Sequence, residues 1–302
     1  MEKVIVTGAN GFVGTWLVKE MAKHGLKIFA VVRDENENIE NIKDIDGVEI
    51  VYCDMSEMSS LRDKIAAEVD TFYHLAWRGA GGAERADYEI QLNNVRCACD
   101  AAVAAKALGC RKLLCAGTVT EKIAENILNI DVKAENTIYG LEKHNLHCLL
   151  DILCKKIGID YVWMRFSNIY GPYNNSGNIV SYTLKELAKG NVPEFSKGLQ
   201  PYDLVYIEDL VYGMYLLGEN DVENNTYFIG SGTPRLLKDY LVEIRDIYGD
   251  NAQIALGARP EDGLEYKEEW FDTMPLERET GYRARFSFRE GITKTVEWIK
   301  GI

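Results

Sequence analysis

Tyr139 and Lys143 are four residues apart in a segment whose pattern predicts a helix, so their side chains share one helix face. A phenol has an unperturbed pKa of about 10, which is too high for a base at neutral pH. A neighbouring ammonium group favours the phenolate, so the pair predicts a general acid and base. Thr118 follows a predicted strand, and its hydroxyl could hydrogen-bond the same substrate oxygen. Together the three residues predict proton transfer at a hydroxyl or carbonyl group.

A glycine-rich segment near the N-terminus predicts a phosphate-binding turn. An apolar run at 4–7 is followed by Gly8, Gly11 and Gly14, and a helical pattern begins at about Trp16. Gly8 would permit the tight turn, Gly11 the approach of a phosphate, and Gly14 the close packing of helix on strand. The helix N-terminus would offer free N–H groups to that phosphate. The strand–turn–helix context therefore predicts a dinucleotide pyrophosphate site.

The elements that would position these residues alternate between strands and helices. Buried strands are predicted at 27–32, 48–53, 71–76, 112–116 and 161–166, and long helices at 88–108 and 138–156. This alternation predicts an α/β fold with a doubly wound parallel sheet.

Beyond Pro172 the segments become shorter and more mixed. Helices are predicted at 180–189, 209–217, 236–248 and 288–300, and strands at 203–207 and 227–229. We expect a dinucleotide-binding domain at 1–172, with later segments at about 203–232 interleaved, and a smaller substrate-binding lobe at 173–302. The lobe would cover the carboxyl edge of the strands, where ligands bind in such folds.

Composition excludes several classes of partner. The chain has 302 residues and a net charge of −13, which argues against nucleic-acid and anionic-membrane partners. No apolar run is long enough to span a bilayer, and the strand that begins at residue 4 leaves no room for a signal peptide. The seven cysteines lack a C-x-x-C pair, which favours reduced buried thiols and a cytoplasmic location. No spacing around the four histidines completes a metal site, so no metal is predicted.

Three motifs together resemble the extended short-chain dehydrogenase/reductase family. They are TGxxGxxG at 7–14, YxxxK at 139–143 and RFSNIYGP at 165–172. Within that family the chain resembles the NAD(P)-dependent nucleotide-sugar epimerase/dehydratase group over nearly its whole length. The resemblance implies a Rossmann sheet, a nicotinamide cofactor and hydride transfer at a sugar carbon, C4, of a nucleotide-linked substrate. It also implies a homodimer built on the helices at 88–108 and around Tyr139, although the leucines of the latter helix suit a core face equally well.

The same resemblance implies a role for each matching residue. The pyrophosphate would be held by Gly8, Gly11, Phe12, Val13 and Gly14, the adenine faced by Asp54, and the ribose and nicotinamide lined by Leu75 and Ala76 with Asn94 in support. Lys143 would also bind the nicotinamide ribose, Asn168 would contact the substrate diphosphate, and Arg259 would clamp a phosphate. Asn10 and Phe166 complete the predicted cofactor-binding set.

One departure from the family pattern concerns the choice of cofactor. Many relatives carry an acidic residue at the end of the second strand, where it bonds the ribose hydroxyls of NAD. Here Val32 is followed by Arg33, and an arginine suits the 2′-phosphate of NADP. NADP is therefore favoured, while Asp34 keeps NAD as an alternative.

Other departures concern the substrate. Glu121 and Lys122 follow Thr118 where relatives carry uncharged residues, and they either shape sugar specificity or are exposed loop charges. The run lacks the Thr-Asp-Glu triad of the 4,6-dehydratases, which argues against dehydration. Tyr202 stands where relatives carry a diphosphate-binding arginine. Trp77 is predicted to bind substrate in compensation, with its loop at 77–79 either facing the sugar or lying at the periphery.

The residues leave three functions open. The first is a nucleotide-sugar 4-ketoreductase, in which Tyr139 exchanges the proton, Thr118 holds the oxygen and Lys143 keeps Tyr139 reactive. The second is a 4-epimerase with tightly bound NAD. The third is a dinucleotide-binding regulator without turnover, which the presence of both Tyr139 and Lys143 disfavours.

Overall fold

The structure is a computed structural model that describes residues 1–129, 134–261, 264 and 266–301. Within these residues the strands are β1 (Lys3–Thr7), β2 (Lys27–Val32), β3 (Val48–Tyr52), β4 (Thr71–His74), β5 (Lys112–Thr118), β6 (Asp160–Phe166), β7 (Asn168–Tyr170), β8 (Glu194–Phe195), β9 (Pro201–Tyr202), β10 (Leu204–Tyr206), β11 (Thr226–Ile229), β12 (Arg235–Leu236) and β13 (Ala255–Leu256). The α-helices are α1 (Phe12–Lys23), α2 (Leu61–Lys64), α3 (Tyr88–Ala107), α4 (Glu121–Ala124), α5 (Thr137–Ile157), α6 (Ile179–Ala188), α7 (Ile207–Glu219), α8 (Leu237–Tyr248), α9 (Met274–Thr280) and α10 (Phe288–Lys300).

The central sheet has seven strands in the order β11-β6-β5-β4-β1-β2-β3. Every neighbouring pair in it is parallel. The strand order reverses between β1 and β4, and ligands of doubly wound sheets bind at the carboxyl ends beside such a reversal. The predicted α/β fold with a doubly wound, Rossmann-type parallel sheet is confirmed.

The sheet is buried on both faces because its strands are apolar throughout. In β1, Val4, Ile5 and Val6 are each 0% exposed. Successive side chains of a strand point to opposite faces. Val4 and Val6 join the core that includes Leu17 of α1. Ile5 joins the core on the other face, which contains residues of α3 and α5.

Most predicted elements match those of the structure to within two residues. The predicted strand at 203–207 is shorter, because β10 ends at Tyr206 and α7 begins at Ile207. The two-residue strands β8, β9, β12 and β13 were not predicted, since so few residues carry no periodicity. The later strand β11 pairs with β6 and so enters the central sheet. The division into a domain at 1–172 and a lobe at 173–302 stays a prediction.

Two general expectations can be compared with the structure. Among the described residues, no helix combines the length and apolarity that crossing a bilayer requires. All seven cysteines are free, but Cys148 is exposed and Cys99 is partly exposed, so the expectation of buried thiols fails for these two. Cys148 lies on α5, and Cys99 lies on α3, where it packs partly buried against the core.

Candidate active site

The glycine-rich turn joins β1 to α1 and leaves its backbone donors open. Gly8 has a φ of +66°, and a Cβ atom on it would lie 3.0 Å from the backbone nitrogen of Ala76. The Gly11 N–H donates to the Gly8 carbonyl at 3.0 Å, which closes the turn. Gly11 caps α1 without a side-chain acceptor, so the first N–H groups of the helix remain available for an anion. This geometry fits the pyrophosphate of a dinucleotide.

Replacing Gly14 with alanine is expected to abolish dinucleotide binding and to reduce stability. The new Cβ atom would overlap the Gly8 carbonyl oxygen and lie 2.8 Å from Cα of Ala9. Overpacking of this kind costs about 1–3 kcal/mol, and relief by moving α1 would deform the turn. Cofactor fluorescence titration and urea unfolding measure the two effects. Lys23→Ala, at the far end of α1, is the control, and equal cofactor affinity in both variants would contradict the assignment.

Thr7 ties the ends of β1 and β4 together beneath the turn. Its Oγ1 lies 3.0 Å from Nδ1 of buried His74 and accepts the N–H groups of Leu75 at 3.1 Å and Ala76 at 3.2 Å. Burial lowers the pKa of His74 to about 3, so the ring is neutral. Sequence reasoning missed Thr7, although a threonine that ends a buried strand beside a glycine turn was a usable signal. The contact fixes Ala76 against Gly8.

A cavity of about 240 Å³ lies on the β2 and β3 side of the turn. Among the predicted cofactor residues it is lined by Gly8, Asn10, Arg33, Asp54 and Ala76. The Asp54 carboxylate accepts the N–H of Ser56 at 2.8 Å and its hydroxyl at 2.6 Å, and these bonds lower its pKa. The cavity therefore has the lining expected for the adenosine half of the cofactor.

Arg33 already has acidic partners at this cavity. Its guanidinium lies 3.0 Å from the Asp34 carboxylate and pairs with Glu37. Glu37 also accepts a hydrogen bond from the Asn10 side chain at 3.2 Å. Glu37 was not predicted as a partner of Arg33, although it follows Arg33 at the i+4 spacing.

A larger cavity of about 790 Å³ opens on the other side of the turn. Thr118 and Tyr139 line it together with Gly11, Phe12 and Phe166. Thr118 ends β5, and Tyr139 lies in the first turn of α5. The side chains predicted to hold and protonate a substrate oxygen therefore border one cavity that also reaches the phosphate-binding turn.

Lys143 lies one helical turn beyond Tyr139 and is buried. Its Nζ donates to the Ala116 carbonyl oxygen at 2.7 Å and lies 3.6 Å from the ring centroid of Trp77. Burial lowers the pKa of Lys143 to about 7, while Glu121 and Cys115 act in the opposite direction. This ammonium group can therefore exchange its proton near neutral pH.

Among the cations that the structure describes, Arg85 lies nearest to the Tyr139 ring. The guanidinium carbon of Arg85 lies 4.2 Å from the ring centroid, whereas Nζ of Lys143 lies 6.0 Å away. Burial raises the pKa of Tyr139 to about 12, Arg85 and a Thr118 hydrogen bond lower it, and Glu121 raises it. Lys143 therefore lies farther from the ring centroid than Arg85 does, and its action on the phenol stays a prediction. Sequence reasoning missed Arg85, because nothing in its local pattern points 54 residues ahead to Tyr139.

Glu121 is a buried carboxylate that holds Thr118 in place through a hydrogen bond to its backbone N–H. Its carboxylate accepts the Thr118 N–H at 2.6 Å, the Trp163 indole N–H at 2.8 Å and the Arg165 Nε–H at 3.1 Å. Its side chain is 0% exposed, so it is neither an exposed loop charge nor a contact for a sugar. Lys122 pairs with Glu125 at 3.0 Å at the surface. The interpretation as an exposed loop charge fits Lys122. Neither that interpretation nor a role in sugar specificity by direct contact fits Glu121.

Several predicted residues act through the loop after β4. Asn94 accepts the Arg78 N–H at 3.0 Å and donates to its carbonyl at 2.7 Å, so it supports that loop. Trp77 donates its indole N–H to Gln91 at 2.8 Å, and its ring meets the Tyr139 ring at 6.2 Å edge-on. Trp77 lines the smaller cavity rather than the larger one, because its bond to Gln91 holds it against Tyr139 and Lys143. A direct contact between Trp77 and the substrate stays a prediction.

The remaining predicted residues are distributed more widely. Asn168 lines the larger cavity and donates to the Asp203 carbonyl at 3.2 Å. Val13 and Leu75 pack against the core and line neither cavity. Arg259 donates to the Tyr182 hydroxyl at 3.0 Å, outside the lining of both cavities. The phosphate contact of Arg259 stays a prediction.

Tyr202, which stands where relatives carry a diphosphate-binding arginine, lies opposite an arginine of another strand. Tyr202 of β9 is registered opposite Arg235 of β12 in an antiparallel pair. The Arg235 guanidinium bonds Glu243 at 2.9 Å and lies 4.1 Å from the ring centroid of Tyr240. Arg235 lines a different cavity, so it does not replace the missing arginine in the larger one.

Comparisons with known proteins give one family and a set of distant relatives. A sequence model described as the NAD dependent epimerase/dehydratase family matches residues 4–230. The dTDP-6-deoxy-L-talose 4-dehydrogenase (NAD(+)) of Aggregatibacter actinomycetemcomitans is 28% identical over 68% of this chain and 76% of its own. CDP-abequose synthase of Salmonella typhimurium is 22% identical over 98% of each chain. Among solved structures, the UDP-glucose 4-epimerase of Thermotoga maritima with UDP-glucose has a TM-score of 0.79 at 20% identity, covering 99% of each chain.

Proposed function

Because the chain belongs to the NAD dependent epimerase/dehydratase family, we propose that it is an enzyme that transfers a hydride between a nicotinamide dinucleotide and C4 of a nucleotide-linked sugar. The observation that carries this proposal is the position of Tyr139 and Thr118 on a cavity that is continuous with the glycine-rich turn. The glycine-rich turn fits a dinucleotide, because Gly8 and Gly14 pack against backbone with no room for side chains, and the first N–H groups of α1 have no side-chain cap. The bound cofactor would supply or accept the hydride.

The side chains of the site would bind the substrate oxygen and transfer its proton. Tyr139 gives a proton to the oxygen on C4 during reduction and takes it up during oxidation. With a pKa of about 12 the phenol is protonated at neutral pH, which suits reduction. The Thr118 hydroxyl holds the same oxygen, while Thr118 itself is fixed through its N–H by Glu121. Lys143, with a pKa of about 7, can pass a proton to the site from its place behind Trp77.

We favour a 4-ketoreductase over a 4-epimerase. CDP-abequose synthase and the 4-dehydrogenase, two of the relatives found by sequence, are named for net synthesis or oxidation. The solved structure that supports the fold is named a 4-epimerase, so a 4-epimerase is the second candidate function. A panel of nucleotide-linked 4-keto sugars distinguishes them. A reductase consumes one equivalent of reduced cofactor per product, whereas an epimerase converts a 4-hydroxy sugar without net cofactor change.

NADP(H) is the cofactor that we propose, on account of Arg33. Its side chain is 63% exposed at the smaller cavity and can turn toward a 2′-phosphate. Asp34 and Glu37 compete for the same guanidinium, and Glu37 could instead accept the ribose hydroxyls of NAD. The cofactor preference is therefore decided by the balance between one arginine and two carboxylates.

Arg33→Ala is expected to weaken NADPH binding about 10- to 100-fold and to change NADH binding by less than about twofold. A charge-assisted hydrogen bond contributes about 1.5–3 kcal/mol, and NADH lacks the phosphate that would make it. Fluorescence titration of both cofactors measures the change, with Arg62→Ala as a control away from the cavity. Tighter NADH than NADPH binding by the unmodified protein, weakened by Glu37→Gln, would contradict this assignment and favour NAD.

A homodimer and a cytoplasmic location complete the proposal. Apolar side chains are exposed on two packed helices, Leu92 and Val103 on α3 and Leu149 and Ile152 on α5, at 42–68%. Leu146 and Leu150 of α5 are buried, so that helix serves both core and surface. Light scattering on Leu149→Lys and Ile152→Lys variants tests the dimer, which should dissociate.

The seven free cysteines suit a reducing compartment, which cell fractionation can check.

A further inference from the structure

A cavity of about 440 Å³, here called the arginine cavity, is bordered by residues of β10, β12 and α8 and by the segment at 284–289. Its described lining includes Arg235, Arg285 and Arg289 but only two carboxylates, Asp209 and Glu243. This local excess of positive charge occurs in a chain whose net charge is −13. None of the described lining residues borders either cavity of the candidate active site. The charge of the arginine cavity favours an anionic ligand.

Arg235 presents a donor without an acceptor in this cavity. Its guanidinium carbon lies 4.1 Å from the ring centroid of Tyr240 and 5.0 Å from that of Phe288, so two aromatic rings support it. Its Nη1 bonds the Glu243 carboxylate at 2.9 Å. Its Nη2 is buried and has no hydrogen-bond partner within the part of the chain that the structure describes. A buried donor without an acceptor costs free energy, and an oxygen of a bound anion would satisfy it.

Glu243 brings a second arginine to the same place. Nε of Arg289 lies 3.4 Å from the other oxygen of this carboxylate, and the Arg289 side chain is 65% exposed. One carboxylate is therefore shared by two guanidinium groups, each of which keeps N–H donors that Glu243 does not take. Guanidinium groups match the oxygens of a phosphate group in geometry and charge.

Arg285 is engaged with the protein instead. Its Nη2 donates to the Glu208 carbonyl at 2.9 Å, and its Nε lies 3.6 Å from the Asp209 carboxylate. Asp209 also accepts the backbone N–H of Arg285 at 2.8 Å. These contacts build the wall of the arginine cavity, whereas Arg235 and Arg289 are the cations that a ligand can bond.

We propose that the arginine cavity is a second ligand site, which binds a phosphate group that is either free or esterified to a small sugar. Nη2 of Arg235 and the N–H groups of Arg289 would bond the phosphate oxygens. The volume of about 440 Å³ lies in the range of small-molecule pockets, so it leaves room for a sugar beside the phosphate. The proposal does not depend on the reaction proposed above, because the site lies apart from the cofactor and substrate cavities.

Calorimetric titration of the full chain with inorganic phosphate and with glucose 6-phosphate, in a buffer low in chloride, tests this site. Arg235→Gln should weaken binding by about tenfold or more, since it removes a charge-assisted hydrogen bond. Arg289→Gln should weaken it as well, and this exposed position keeps the test open if Arg235→Gln does not fold. Glu243→Gln should tighten binding by about threefold or more, because it releases both arginines from a competing, partly exposed ion pair.

Two control variants separate this site from other effects. Arg245→Gln should leave the affinity unchanged, because Arg245 has the same exposure as Arg235 to within 1%, pairs with Asp246 and lies outside the described lining. Gly14→Ala deforms the glycine-rich turn and should also leave it unchanged, so loss of binding in that variant would place the phosphate at the turn and overturn the proposal.

The opposite signs expected for Arg235→Gln and Glu243→Gln distinguish a ligand site from damage to the fold, which would weaken binding in both. Tighter binding of glucose 6-phosphate than of inorganic phosphate would support the ester as the ligand, and equal affinity would support the free ion. Absence of binding by both probes would overturn the proposal. So would equal affinity in Arg235→Gln and Arg245→Gln, or binding that Glu243→Gln does not tighten. No turnover is measured, so failure here is distinct from failure of the proposed reaction.

Discussion

Tyr139→Phe is expected to lower turnover by about 10²- to 10⁴-fold, the usual contribution of a general acid or base. In the proposed reaction the Tyr139 hydroxyl exchanges a proton with the substrate oxygen, and phenylalanine removes that hydroxyl alone. The ring would keep its edge contact with Trp77 and its place beneath Arg85. Cofactor affinity and the urea midpoint should therefore change little.

Steady-state kinetics under saturating cofactor measure this prediction. The matched control is Tyr88→Phe, because Tyr88 is 60% exposed and its hydroxyl bonds the neighbouring Glu89. Turnover within threefold of the unmodified enzyme in Tyr139→Phe would refute the acid/base assignment. Loss of cofactor binding in the same variant would instead show that the phenol organises the cofactor site.

Glu121→Ala should lower the free energy of unfolding by about 3–5 kcal/mol, the effect of breaking a buried ion pair from one side. The Arg165 side chain is only 12% exposed, and it would lose one of its two carboxylate partners. The Thr118 N–H and the Trp163 indole N–H would also lose their acceptor. Thr118 would then be less firmly placed, so turnover should fall as well.

Urea unfolding of Glu121→Ala, Glu121→Gln and Glu125→Gln tests this ranking. The glutamine at 121 keeps an oxygen for the Thr118 N–H and should lose less stability than the alanine. Glu125 is 33% exposed, so its ion pair with Arg165 should contribute less than about 1 kcal/mol. A Glu121→Ala variant as stable as Glu125→Gln would show that the buried carboxylate is not a structural anchor.

The fold and the phosphate-binding turn could be predicted because their signals are local. Glycine spacing, apolar runs and strand–helix alternation all lie within short segments, and the sheet follows from them. The same holds for the four-residue spacing of Tyr139 and Lys143. The ion pair of Arg33 with Glu37 is also local, at i+4, but it lies in the loop after β2, where no helical pattern indicates that residues four apart meet.

The electrostatics of the site depend on residues that are distant in sequence. Glu121 meets Trp163 and Arg165 more than 40 residues later, and this tertiary contact buries a carboxylate that the sequence placed at the surface or on a sugar. Arg85 meets Tyr139 across the loop after β4, where the Gln91 amide bonds the Glu84 carbonyl beside Arg85. Neither contact follows from periodicity or propensity. Both contacts affect the ionisation of Tyr139, the predicted acid and base.

Transfer of label from the cofactor to the sugar tests the central claim most directly. The enzyme is supplied with nucleotide-linked 4-keto sugars and with NADPH or NADH carrying deuterium at the hydride position of the nicotinamide, and the products are analysed by NMR. We predict deuterium at C4 of one sugar, with one cofactor oxidised per product and strong loss in Tyr139→Phe. Folded enzyme that binds the cofactor yet moves no deuterium to any 4-keto sugar, and interconverts no 4-hydroxy sugar, would contradict the account.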